Sequence, residues 1–315
     1  MRRIDFVVKR LLDCTASEIC RFNKKDLLAS IAGCEGRVLA CETIGITPPL
    51  LADVTNAEYA ASLGAEILLL NMFDVQNPVV QALPKVPPCE TVRELKRLTG
   101  RVIAINLEPV DPEIAKTANG GTMWQMTPGR MATAENARLA AEMGVDMVVL
   151  TGNPGNGVKN DAIVQALRDI KDAAGDCLIL AAGKMHAAGV IGEGGASILT
   201  HQDVSDFTAE GADIILMPAP GTVPGITQEI AHDLVTQIHK SGALALTAIG
   251  TSQEGADVDT IRRIALMCKM AGADIHHIGD TGVPGMALPQ NILAYSIAIR
   301  GERHTYHRMA SSVNR

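Results

Sequence analysis

Four segments of this chain open on nearly the same phrase: an apolar helix end, a glycine, Ala or Val, an acidic residue, and then an aliphatic run. They fall at 62–70 (SLGAEILLL), 142–150 (EMGVDMVVL), 209–217 (AEGADIILM) and, with two histidines interrupting the run, 270–278 (MAGADIHHI). Glycine at the end of a helix takes the left-handed conformation that closes it, and a short turn then leads into a strand. A continuous aliphatic run, without alternation, marks a strand covered on both faces, which is the habit of parallel sheets flanked by helices. Looser versions of the phrase occur at 30–43, 95–108, 173–185 and 238–250. Together these predict eight strands, at 38–43, 67–71, 102–107, 147–151, 177–182, 214–218, 244–249 and 275–279.

Helices fit between the strands, with start signals at Thr55, Thr91, Thr133, Asn160, Thr200, Thr227 and Asp257 and a closing amphipathic segment at 288–301. Eight strands each followed by a helix predict a (β/α)₈ TIM barrel in the α/β class, as one domain over 1–315. A doubly wound open sheet is the alternative, and it calls for no such octet. Residues 1–35 form an N-terminal helical extension, in which Thr15-Ala-Ser-Glu18 has capping-box spacing and Asn23 can cap a second helix. This extension is placed under the barrel or in an oligomer contact. The barrel proper spans 36–301, and 302–315 reads as a polar, basic tail without periodicity.

A composition of 47% hydrophobic and 20% charged residues supplies a large core, and with 3% aromatics that core must be aliphatic. The net charge of −7, with no long basic run, argues against nucleic acid and anionic membranes as partners. Apolar runs are strand-sized, so no membrane span is expected. Seven scattered cysteines without a CxxC pair suit reduced thiols and a cytoplasmic location.

In this fold the active site lies at the C-terminal strand ends. The candidates there are Glu42, Asn71, Asp74, Asn106, Glu108, Thr151, Asn153, Lys184, His186 and Asp280. Glu42, Asp74 and Glu108 come from consecutive strands, and clustered carboxylates suit Mg2+ or Mn2+; each could instead bond to backbone amides. Lys184 follows its strand directly and is expected in the mouth, where it would form a Schiff base or neutralise an anion, with His186 carrying protons. The glycine-rich turns after the last two strands offer Gly250, Thr251, Ser252, Thr281 and Gly282 to a phosphate, although Asp280 beside them is repulsive. No Walker A pattern is present, and no nucleotide cofactor is expected. Long connections at 72–90, 109–132 and 185–199 read as lids; the middle one carries Trp124. Of the two adjacent histidines, alternation turns His277 into the barrel and His276 toward the helices.

The stretch GVDMVVLTGNPGNGVKNDAIVQALRDIK, followed by CLILAAGK and EGADIILM, resembles the fourth-to-sixth strand region of BtpA-like barrels. AEILLLNMFD resembles the second-strand stretch of the same group, and the likeness covers about half of the chain. It implies a small-molecule barrel. The acidic strand ends are also similar in kind to those of phosphoenolpyruvate mutase and isocitrate lyase-like barrels, which implies magnesium and carboxylate substrates. The chain departs from that group in having Asn71-Met-Phe-Asp74 where an Asp-x-Asp pair would stand, and it has no KKCGH-type loop.

Three functions remain open at this level. The first is an aldolase, lyase or isomerase acting on a small anionic, phosphorylated carbonyl compound. The second is a metal-assisted lyase or mutase. The third is a metabolite-binding barrel without turnover. A homo-oligomer is expected from the habit of soluble barrels.

Overall fold

In the computed structural model, residues 9–110, 126–152, 158–186 and 194–315 are described. Eight parallel strands, β1 (Val38–Ile44), β2 (Ile67–Asn71), β3 (Val102–Leu107), β4 (Met147–Leu150), β5 (Ile179–Gly183), β6 (Ile214–Pro218), β7 (Leu244–Ile249) and β8 (Ile275–Ile278), close into a barrel in sequence order. The ring is sealed where β8 pairs with β1, with His277 level with Ala40. The chain is thus a TIM-barrel α/β fold with extra N-terminal helices. β5 starts later than the sequence pattern predicts because the amides of Cys177 and Leu178 still bond to Ala174 O as the last turn of the preceding helix.

The acidic residue of the repeated phrase has a single physical task. In Asp146, Asp213 and Asp274 the backbone N–H donates to a carbonyl of the preceding strand (Ile103, Leu180 and Ala245) at 2.8–2.9 Å. The side-chain carboxylate of each accepts from the N–H of that same residue, at 2.9, 2.8 and 2.8 Å respectively. Glu66 does the same with Leu39. Each carboxylate therefore satisfies a backbone donor at the N-terminal rim and fixes the register of neighbouring strands.

Alternation divides the core in two. Val38, Ala40, Ile67, Leu69, Val102, Ala104 and their counterparts fill the barrel, and Leu11, Leu12, Ile19, Leu27 and Ile31 of the N-terminal segment pack on the same cluster. That segment thereby closes the bottom of the barrel. The intervening residues, such as Leu68, Ile103 and Val148, pack between sheet and helices. Each fully buried aliphatic side chain contributes about 1.5–3 kcal/mol. Thr55, Thr133, Thr200, Thr227 and Asp257 accept the capping bonds expected of them. Thr91 and Asn160 are instead the first helical residues, one position past the caps.

The C-terminal segment differs from its sequence reading. Helix Pro289–Ala310 continues past a non-helical Gly301 (φ 75°) through most of the stretch read as a tail. Its anchors are charged, which is why hydrophobic periodicity does not reveal them. Arg300 and Arg308, both buried, pair with Glu66, and Arg308 also donates to Cys14 O at 3.1 Å. His276 faces this helix layer, bonded to Gly36 O at 3.0 Å and set against Tyr295; burial pushes its pKa down to about 3. Among the described residues no helix is long and apolar enough to cross a membrane.

Candidate functional site

The inward rows of the barrel run upward from aliphatic to polar. Ala40 is followed on its face by Glu42, Leu69 by Asn71, Ala104 by Asn106 and Val149 by Thr151. These four crown the core and line a cavity of about 550 Å³ at the C-terminal mouth, together with Glu108, Arg130, His186, Glu254 and Asp280.

Two carboxylates on the floor are joined by two amides. Asn106 Nδ2 donates to Glu42 Oε1 at 3.0 Å and to Asn71 Oδ1 at 3.1 Å, and Asn71 Nδ2 donates to Asp280 Oδ2 at 2.7 Å. The Gly282 N–H holds the other oxygen of Asp280 at 2.8 Å. Burial, and then the charge of Glu42, push the Asp280 carboxyl up to about 7 against the lowering effect of those hydrogen bonds. Burial also raises Glu254 and lowers the imidazole of His186, the latter partly opposed by Glu42. Beneath the floor, fully buried His277 brings Nε2 to 3.5 Å from Glu42 Oε2.

The backbone around the mouth is strained. Met72, Ser252 and Thr281 have φ of 58°, 79° and 58°, in the left-handed region that non-glycine residues avoid, and all three line the cavity. Each such residue costs about 1–3 kcal/mol, and strain of this kind collects at functional sites. Gly279 is required where it stands, since a Cβ there would lie 2.7 Å from Ile249 O and 3.3 Å from the Glu254 carboxyl carbon.

Of the residues expected at the site, the cavity gathers Glu42, Asn71, Asn106, Glu108, Thr151, His186, Gly250, Ser252, Asp280, Thr281 and Gly282. Lys184 requires a correction. It is buried, at 3% exposure, but is not among the cavity-lining residues. The inward positions of β5 are Ile179 and Ala181, so the face continues through Gly183 to Met185, which packs on the barrel core and lines the cavity. Thr251 also turns away, its hydroxyl set between Thr222 O at 2.7 Å and Gln253 Oε1 at 2.5 Å. Asn153 and Trp124 lie outside the described residues.

The expected metal trio is not assembled. Asp74 folds into its own turn, where Oδ1 accepts from the amides of Gln76 and Asn77 at 2.8 and 3.0 Å, and it does not line the cavity. Glu108 is paired with Arg130 at 2.5 Å. Among the described residues no group of three or more His, Cys, Asp or Glu is placed to hold a metal ion. Glu42, Asp74 and Glu108 therefore do not form the Mg2+ or Mn2+ site expected of them.

Sequence reasoning misses Arg130 and Glu254. Arg130 is buried in the short 3₁₀ turn Pro128–Arg130, and its cavity position follows from the parallel bridge between Glu108 and Met131. Glu254 lies in the glycine-rich loop after β7, where an acidic residue was the available signal against a phosphate cradle.

Residues 12–315 match the family profile described as "Domain of unknown function (DUF7916)", and the chain belongs to that family. This, and not a BtpA-like group, is the family that the match shows. No curated protein matches the chain. Solved structures similar to it include a thiamine phosphate pyrophosphorylase from Pyrococcus furiosus, at 13% identity and a TM-score of 0.47, covering 84% of this chain and 96% of that one. Another is 2,3-dimethylmalate lyase, a member of the PEP mutase/isocitrate lyase superfamily, at 13% identity and a TM-score of 0.48, covering 84% and 81%.

Proposed function

We propose that this member of the DUF7916 family is an enzyme of lyase or isomerase type that moves a proton on a small carbonyl compound at the barrel mouth. The observation that carries this reading is the chain Glu42–Asn106–Asn71–Asp280, two carboxylates coupled through two amides on the floor of one cavity. A general acid or base works best when its pKa lies near the operating pH, and Asp280 is pushed to about 7. Its orientation is fixed on one oxygen by Asn71 and on the other by Gly282 N–H, so the proton is offered in one direction.

Arg130 supplies the cationic side of the cavity and would take the carboxylate or phosphate of the substrate. The late loops are a poorer phosphate site than their glycines suggest, because Glu254 and Asp280 face the same space. A Schiff base at Lys184 lacks support, since the cavity wall at that strand is Met185.

The test is deuterium incorporation from D2O into a panel of 2-oxo acids and hydroxyketone phosphates, followed by NMR. Wild-type exchange that falls by about 100-fold or more in Asp280→Asn, and persists in Asp74→Asn, supports the reading. Binding of panel compounds without exchange, unchanged by Asp280→Asn, would make the barrel a metabolite-binding protein instead.

A further inference from the structure

We infer that the ligand of this mouth presents a protonated amine to the corner formed by Glu42, Glu254 and Asp280, and is therefore a zwitterion and not a simple anion. The inference deepens the proposed function and rests on the mouth being the substrate site. It comes from accounting for donors and acceptors. Both amide N–H groups of Asn106 are spent, on Glu42 and on Asn71 Oδ1, and Asn71 Nδ2 donates to Asp280. At the floor and beside it two pure acceptors are left over, Asn106 Oδ1 and Glu254 Oε2, buried without a hydrogen-bond partner; the Thr151 hydroxyl, also without one, can give or take a proton. Their residues are 6%, 6% and 2% exposed, and all three line the cavity. Buried acceptors left unsatisfied are costly, so a ligand that donates is favoured over one that accepts.

Charge points the same way. The described lining carries four carboxylates, Glu42, Glu108, Glu254 and Asp280, against the guanidinium of Arg130, which already pairs with Glu108. Glu42, Glu254 and Asp280 are close enough for mutual repulsion to raise proton affinity in Asp280 and Glu254. An ammonium brings three donors and one positive charge to that corner, while the other end of the ligand reaches toward Arg130. The ionisable groups facing the corner are Glu42 from β1, Glu254 after β7, His277 from β8, Asp280 after it, and His186 after β5. A cation arriving there lowers the proton affinity of Asp280, so amine binding at neutral pH releases a proton.

Calorimetry on the full chain tests this with glycine and β-alanine against acetate, propionate and 3-hydroxypropionate, and with MgCl2 as a separate arm. Amine-bearing probes should bind about tenfold or more tightly than their matched acids. Heats in two buffers of different ionisation enthalpy should report proton release. Glu254→Gln, checked for folding by circular dichroism, should bring the ratio of amine to acid affinity toward one; Asp280→Asn should abolish the proton release. Equal or tighter binding of propionate or 3-hydroxypropionate overturns the inference, as does no binding of either amine, or Mg2+ binding with no amine preference. Amine binding without deuterium exchange into any substrate would sink the proposed function and leave this inference standing.

Discussion

The Asn71 amide donates to Asp280 Oδ2 at 2.7 Å, tying the end of β2 to the loop after β8 across the intervening strand β1. The bond stabilises the ionised carboxylate, so it holds the Asp280 pKa lower than burial alone would set it. In Asn71→Leu the pKa should rise above the wild-type value of about 7, and the pH range over which Asp280 acts as a base should move upward with it. Carbon-13 NMR titration of the carboxyl reads this directly. An unmoved or lowered titration would show that the bond does not form in solution.

The stability that Asp280 contributes should fall as pH rises through the neutral range, against the opposite trend of His276, whose proton affinity burial lowers. Asp280 binds its proton more tightly folded than unfolded, so its contribution is present below the ordinary aspartate value of 3.8 and is lost as pH climbs to about 7. Glu254 shifts in the same direction. The loss from Asp280 should be on the order of 2–4 kcal/mol. Urea unfolding at pH 5 and pH 8 should show wild type losing more stability, or gaining less, between the two than Asp280→Asn does.

Glu66→Gln should unseat the C-terminal helix. The substitution leaves Arg300 and Arg308 buried without their carboxylate, and breaking a buried pair in this way costs about 3–5 kcal/mol. Denaturant unfolding gives the loss, and limited proteolysis should cut first near Gly301. Unchanged stability would mean the arginines find other partners.

Borohydride treatment in the presence of 2-oxo acids should leave the intact mass unchanged, because the cavity wall beside Lys184 is formed by Met185. A reduced adduct that maps to Lys184 would reverse that placement.

Gly183→Ala should not fold. A Cβ at that φ of 153° would sit 1.9 Å from Leu216 O, on a backbone atom of the neighbouring strand that cannot yield. Soluble Gly183→Ala protein with native circular dichroism would show that β5 and β6 separate more readily than their pairing implies.

The barrel can be read from short stretches of residues, because its signals are local. Glycine closes a helix, an acidic residue that will accept the preceding strand's amide comes next, and an aliphatic run follows; each lies within ten residues of the others and repeats around the ring. Period-two alternation likewise carried Glu42, Asn71, Asn106 and Thr151 to the mouth and turned His276 away from it. Tertiary structure alone decided what those residues do. The pairing of Asn71 with Asp280 spans 209 positions, and Arg308 reaches Glu66 from a segment with no hydrophobic period. Lys184 and Asp74 show the limit from the other side. Being near a strand end places a residue at the rim, but one step of alternation or a two-residue turn removes its side chain from the cavity. Proton affinity was least legible of all. It depends on how many carboxylates share one unsolvated space, and that is a property of the closed ring and of no single strand.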